Sequence, residues 1–80
     1  NELFVFKSAK KYLNNYKPYI IMELAPYLYK ENGYSSKELL DYILSFNYKF
    51  YNLETDKEIK NIYQFSQKIN DGTSVNVFLK

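Results

Sequence analysis

Tyr19-Ile20-Ile21-Met22-Glu23-Leu24, held between Pro18 and Pro26, is the most diagnostic strand of this sequence. It is a continuous apolar run with one charge near its end, and it is too short for a helix. A run without alternation suits a strand covered on both faces, the usual state of a strand in a parallel sheet. Upstream, residues 2–16 read as one helix. Val5, Ala9, Tyr12, Leu13 and Tyr16 fall on one face of a 3.6-residue period, Leu3 and Phe6 widen that stripe, and Lys7, Lys10, Lys11, Asn14 and Asn15 lie opposite. Pro18 ends the helix by disfavouring an α conformation at Lys17.

Downstream, a loop runs through Pro26 and Gly33. Ser35 and Glu38 then have the spacing of a capping box and open a helix with Leu39, Leu40, Ile43, Leu44 and Phe46 on its apolar face. Tyr48-Lys49-Phe50-Tyr51-Asn52-Leu53 alternates as a second strand. Thr55 and Glu58 repeat the capping-box spacing, and Ile59, Ile62, Tyr63 and Ile69 predict a third helix over residues 56–69. Asp71-Gly72 marks a turn, and Val75, Val77 and Leu79 alternate in a closing strand. The order helix, strand, helix, strand, helix, strand predicts an α/β fold with a parallel or mixed sheet.

Composition narrows the chemistry. Eighty residues form one domain at most, and 46% hydrophobic residues argue for a packed core. Ten Tyr stand against six Phe, so many rings can bury while their hydroxyls reach water. The absence of Cys and His removes disulfides, thiolate chemistry, the commonest metal ligand and the usual neutral-pH base. All eleven basic residues are Lys, so bidentate recognition of phosphate or guanine by Arg is excluded. The lysines are scattered and the net charge is only +2, so no nucleic-acid partner is expected, and the Tyr–Lys content reads as core or boundary tyrosine on solvated helices. No run approaches the ~20 apolar residues of a membrane span, and the opening Asn1-Glu2-Leu3 has no signal-peptide pattern; a cytoplasmic location without membrane insertion is expected. The chain starts with Asn inside an amphipathic pattern, which suggests a segment of a longer protein.

Taken in order, Glu2-Leu3-Phe4-Val5-Phe6-Lys7-Ser8-Ala9-Lys10-Lys11-Tyr12-Leu13, Tyr16-Lys17-Pro18 and Ile20-Ile21-Met22-Glu23-Leu24 resemble the C-terminal third of FkbM-type methyltransferases. Gly33-Tyr34-Ser35, Tyr48-Lys49-Phe50-Tyr51 and Ser74-Val75-Asn76-Val77 resemble that family's ending, with Asn47 where Gly commonly precedes the Tyr. The resemblance implies part of an S-adenosylmethionine-dependent, Rossmann-like sheet whose last strand is antiparallel and lies between the two before it. It implies that residues 1–80 are the C-terminal segment of a methyltransferase acting on a hydroxyl of a sugar or glycan-like acceptor. S-adenosylmethionine is then the parent enzyme's cofactor, and the missing N-terminal half of the domain is the partner. No cofactor site is expected in this chain alone, because Gly33 and Gly72 are its only glycines and neither forms a Gly-x-Gly turn between strand and helix.

Two carboxylates are candidate catalytic residues on the acceptor side. Glu23, near the C-terminal end of its strand, sits where open α/β sheets bind ligands. There it could hold or deprotonate an acceptor hydroxyl or help hold a metal, or it could instead pair with a Lys or a backbone amide. Glu2 matches a family Glu, and it also suits the first turn of a helix. Asn76, polar in the last strand, could reach the active-site edge or fix a loop. The alternative to an enzyme segment is a freestanding α/β interaction module that binds through an open sheet edge from Tyr19 to Leu24, an edge that would equally allow self-association.

Overall fold

A computed structural model describes residues 2–80. Helices α1 (Glu2–Ser8) and α2 (Lys10–Tyr16) lead into strand β1 (Ile20–Leu24). Helices α3 (Pro26–Glu31) and α4 (Ser36–Leu44) follow, then strands β2 (Phe50–Asn52) and β3 (Glu58–Ile59), helix α5 (Ile62–Gln67) and strand β4 (Val75–Leu79). The sheet order is β1-β4-β2-β3. β4 pairs antiparallel with both β1 and β2, so those two run parallel to each other without touching. β2 pairs antiparallel with β3 as well, so the expectation of a parallel or mixed sheet is corrected: every pairing is antiparallel, and β4 takes the place between β1 and β2 that the resemblance implies.

Alternation along the strands separates two unlike faces. Met22 and Leu24 of β1, Val77 and Leu79 of β4 and Phe50 of β2 are buried. They pack with Leu3 and Phe6 of α1, Leu13 of α2, Leu39, Leu40 and Ile43 of α4 and Ile62 of α5 into one core. The residues between them in β1 point the other way, and Ile21 is 62% exposed. With a shortest dimension of 16 Å, the molecule is a sheet with one helix layer. The expectation that the strand is covered on both faces is therefore corrected. The unbroken apolar run gives β1 an apolar outer face, which the described residues leave open. Tyr19, Phe78 and Tyr51 lie on that face, with the Tyr19 and Phe78 rings 5.6 Å apart and Lys80 Nζ 4.5 Å above Tyr51.

Other boundaries shift for local reasons. The helix over residues 2–16 forms, but it is broken at Ala9, where φ is −94° and ψ is 9°. It ends at Tyr16 as expected, through Lys17 in the left-handed region rather than in extended backbone (φ 43°, N–H to the Leu13 carbonyl at 3.0 Å). The loop through Pro26 is in fact α3. Pro26 occupies its first turn, where a missing N–H is harmless and a fixed φ helps. Gly33 at φ 86° closes α3, and the Tyr34 N–H reaches back to the Tyr29 carbonyl at 3.1 Å in a Schellman-type cap.

The helix over residues 56–69 is corrected: Glu58–Ile59 is strand β3, and only Ile62–Gln67 is helical. Asn52 Oδ1 accepts the amides of Glu54 and Thr55, folding the chain back so that Glu58–Ile59 pairs with β2. The cap that works is Asn61, whose side chain accepts from the Gln64 amide at 3.0 Å. Its spacing matches that of Thr55 and Glu58, six residues later. The Ser35 cap forms as read, accepting from the Glu38 amide at 3.1 Å. Asn47 stands at φ 64°, a conformation that Gly and Asn adopt more readily than other residues. No helix among the described residues is long and apolar enough to cross a membrane.

Candidate functional site

The chemistry-bearing residues gather around the C-terminal end of β1. Tyr29, on α3, is fully buried and does two things with one hydroxyl: it accepts the Ala25 amide and donates to the Glu23 carbonyl, both at 3.1 Å. Tyr34 stacks on it, with ring centroids 5.3 Å apart and planes 18° from parallel. The Tyr34 hydroxyl donates in turn to Glu2 Oε2 at 3.3 Å. A chain of contacts thus runs from the first turn of α1 through two stacked rings to the backbone where β1 ends. Burial pushes the Tyr29 phenol up to about 12, against the pull of its bond from the Ala25 amide. Burial, with the Glu2 charge adding to it, also raises Tyr34.

The two candidate carboxylates meet this chain differently. Glu2 joins it through its side chain. Glu23 joins only through its carbonyl, because alternation with buried Met22 and Leu24 turns its exposed carboxylate to the bare face. The structure therefore brings Glu2 to one end of the tyrosine pair and the Glu23 backbone to the other, without converging the carboxylates. Asn76 lies opposite Glu23 in the β1–β4 register, is exposed, and uses its carbonyl to accept from the Leu53 amide at 3.2 Å. Among the described residues, no group of three or more acidic side chains is placed to hold a metal ion.

Tyr29 and Tyr34 join the site in the structure without standing among the candidate residues of the sequence. Pro26 as a helix start, followed by Gly33 as a helix stop, is the signal that would have found them.

A groove of ≈ 570 Å³ runs from Glu2 along α1 and α2 to Pro18 at the start of β1. Its walls are α1 and α2 on one side (Val5, Ala9, Tyr12) and β1 on the other (Ile20, Met22), with Glu2 at the rim. A more open depression of ≈ 710 Å³ beside α3 is lined by one lysine, Lys30, and two carboxylates, Glu38 and Asp71. A third cluster is a surface network. Asp41 accepts from Lys37 Nζ at 2.7 Å and from the Tyr63 hydroxyl, which ties α4 to α5. The Lys37 bond, then the Tyr63 bond, holds the Asp41 carboxyl below its usual range, while the same contacts raise Lys37 and Tyr63.

No protein-family model matches this sequence, and neither the curated proteins nor the solved structures give a match.

Proposed function

We propose that these residues form the C-terminal part of an S-adenosylmethionine-dependent methyltransferase acting on a sugar or glycan-like hydroxyl. The observation that carries this reading is the sheet order, with β4 antiparallel between two strands that are parallel to each other. A last strand in that position is what the Rossmann-like ending implied by the sequence resemblance requires, and this supports the reading. An edge strand with a bare apolar face also suits a sheet that continues into further strands and helices.

The two glycines of this chain stand away from any strand-to-helix turn. Gly33 closes a helix and Gly72 precedes β4, so neither forms a phosphate- or ribose-binding turn between a strand and a helix. No step through the cofactor is derived from them. In this reading the chain supplies packing and part of the acceptor wall. In the same reading Glu2, hydrogen-bonded to Tyr34 and lining the groove, accepts a hydrogen bond from an acceptor hydroxyl, and the exposed Glu23 carboxylate lies toward the strand end.

Calorimetric titration of S-adenosylmethionine into the 80-residue chain and into the same chain extended by its upstream coding sequence tests the proposal. Stoichiometric binding to the extended chain alone is expected. Saturable binding to the 80 residues, or to neither, would overturn it. A freestanding interaction module is the second reading, favoured by the position of β1 at the sheet edge, and the outcome in which neither chain binds selects it.

A further inference from the structure

β1 is an edge strand, and the hydrogen-bond parity of the sheet says which of its groups are unmet. Lys49 and Lys80 exchange both backbone bonds, at 3.0 and 3.1 Å, and the Leu53 amide reaches the Asn76 carbonyl. Residues 76, 78 and 80 therefore turn their backbone groups toward β2, and Val75, Val77 and Leu79 turn theirs toward β1. Their partners in β1 are Leu24, Met22 and Ile20. The amides and carbonyls of Tyr19, Ile21 and Glu23 are left pointing outward over the edge. The Tyr29 hydroxyl on the Glu23 carbonyl agrees with that direction, and it covers the last acceptor of the row.

A second unmet surface lies beside this edge. Val5 and Tyr12, 60% and 55% exposed, are apolar residues at helical spacing that wall the groove alongside Ile20 and Met22 of β1. Tyr16, 71% exposed, continues the same stripe one turn on, and its ring lies 5.0 Å from that of Tyr12. Backbone donors and acceptors at the edge and apolar side chains along the groove both call for one occupant, an extended strand with apolar flanks.

We propose that this occupant is a second copy of the chain, docked antiparallel along β1 about a two-fold axis at Ile21. In this register Ile21 faces its counterpart and the two exchange both backbone bonds, while Tyr19 of each copy faces Glu23 of the other. The Tyr19 hydroxyl then meets the Glu23 carboxylate, and the two Glu23 charges stand about 13 Å apart along the strands. On the inner side Ile20 faces Met22 of the other copy, so the two grooves join under the stripes of Val5 and Tyr12. Each buried Tyr ring contributes on the order of 150 Å², so Tyr12, Tyr16 and Tyr19 bring the contact toward the ~800 Å² per partner of a stable interface. The opposite edge, β3, is only two residues long, so pairing stops at two copies.

The inference goes beyond the methyltransferase reading and does not rest on it. A further strand of a larger enzyme laid along β1 would take the second copy's place, so the dimer is claimed of the 80-residue chain. Sedimentation equilibrium of that chain at about 100 µM should show a closed dimer. Ile21→Pro removes only an outward N–H, and Ile21→Lys sets two like charges opposite each other. Each should raise the dissociation constant at least about tenfold with the circular dichroism unchanged. Val5→Ser with Tyr12→Ser should weaken the dimer in the same direction. A wild-type monomer at that concentration, a dimer indifferent to both Ile21 substitutions, or growth beyond two copies would overturn the proposal.

Discussion

Helix α4 and the α1–α2 pair carry apolar residues at the same helical spacing, yet only α4 buries the stripe its sequence announces. In α4, Leu39, Leu40 and Ile43 are fully buried, with α1 and α5 as neighbours of α4 in the one helix layer. In α1–α2, the buried residues are Leu3, Phe6 and Leu13, while Val5, Tyr12 and Tyr16 of the expected stripe face outward. A 3.6-residue period identifies a helix. It does not choose between two overlapping apolar faces when a helix lies at the margin of the core, as α1 and α2 do beside the edge strand β1. The difference teaches that the N-terminal helices have more apolar surface than this core can take.

The largest test of that contrast is truncation. Leu40→Ala should lose about 2–5 kcal/mol in urea unfolding, close to the whole stability of a chain this size. Tyr12→Ala, measured at a concentration low enough to keep the chain monomeric, should change it by less than about 0.5 kcal/mol. Equal losses would mean that the outward stripe is packed after all.

Tyr29 sharpens the comparison, because its hydroxyl closes the strand beside the open groove. Its phenol titrates at about 12 when folded, against ~10 when unfolded. Between those values the folded chain keeps a proton that the unfolded chain has lost, so stability is full below pH ~10 and falls as pH rises, by on the order of 2–3 kcal/mol at pH 12. Tyr29→Phe should flatten that alkaline decline and cost ~1–3 kcal/mol at neutral pH by leaving the Ala25 amide and Glu23 carbonyl unpaired. An unchanged alkaline slope would contradict the burial argument.

Smaller effects separate the capped helices from the uncapped one. Ser35→Ala and Asn61→Ala should each cost about 1 kcal/mol by thermal unfolding, whereas no substitution at Ala9, which caps nothing through its side chain, should cost a cap. Asp41→Asn at the α4–α5 surface should have the smallest effect. Because its carboxyl titrates below the usual range, its contribution is present above pH ~4 and disappears as pH falls through that lowered value. The variant should match wild type below that window and fall slightly short above it.

Much of the fold was legible because local chemistry and tertiary environment agree there. Ser35 and Glu38 mark a cap that forms, and Val75, Val77 and Leu79 alternate on a strand that buries one face. Reading failed where two signals of equal spacing competed. Thr55 with Glu58 and Asn61 with Gln64 both announce a helix start, and the Asn52 side chain decides between them by bending the chain at Glu54 and Thr55. Pro26 marks a boundary in the sequence, yet in the structure it starts α3, the helix that carries Tyr29. At the candidate site, Glu2 and Glu23 were legible as residues, but the stacked Tyr29–Tyr34 pair that links them depends on Gly33 turning the chain back on α3. The central position of β4 came from the family resemblance, because periodicity identifies strands and says nothing of their order.

The most direct test of the central claim, that β1 is satisfied on one side and open on the other, is amide hydrogen exchange along this one strand. In dilute solution the amides of Met22 and Leu24 should be protected by β4 while that of Ile21 exchanges freely, and raising the concentration should protect Ile21 without altering Met22. An Ile21 amide protected as strongly as Met22 at every dilution would contradict the account.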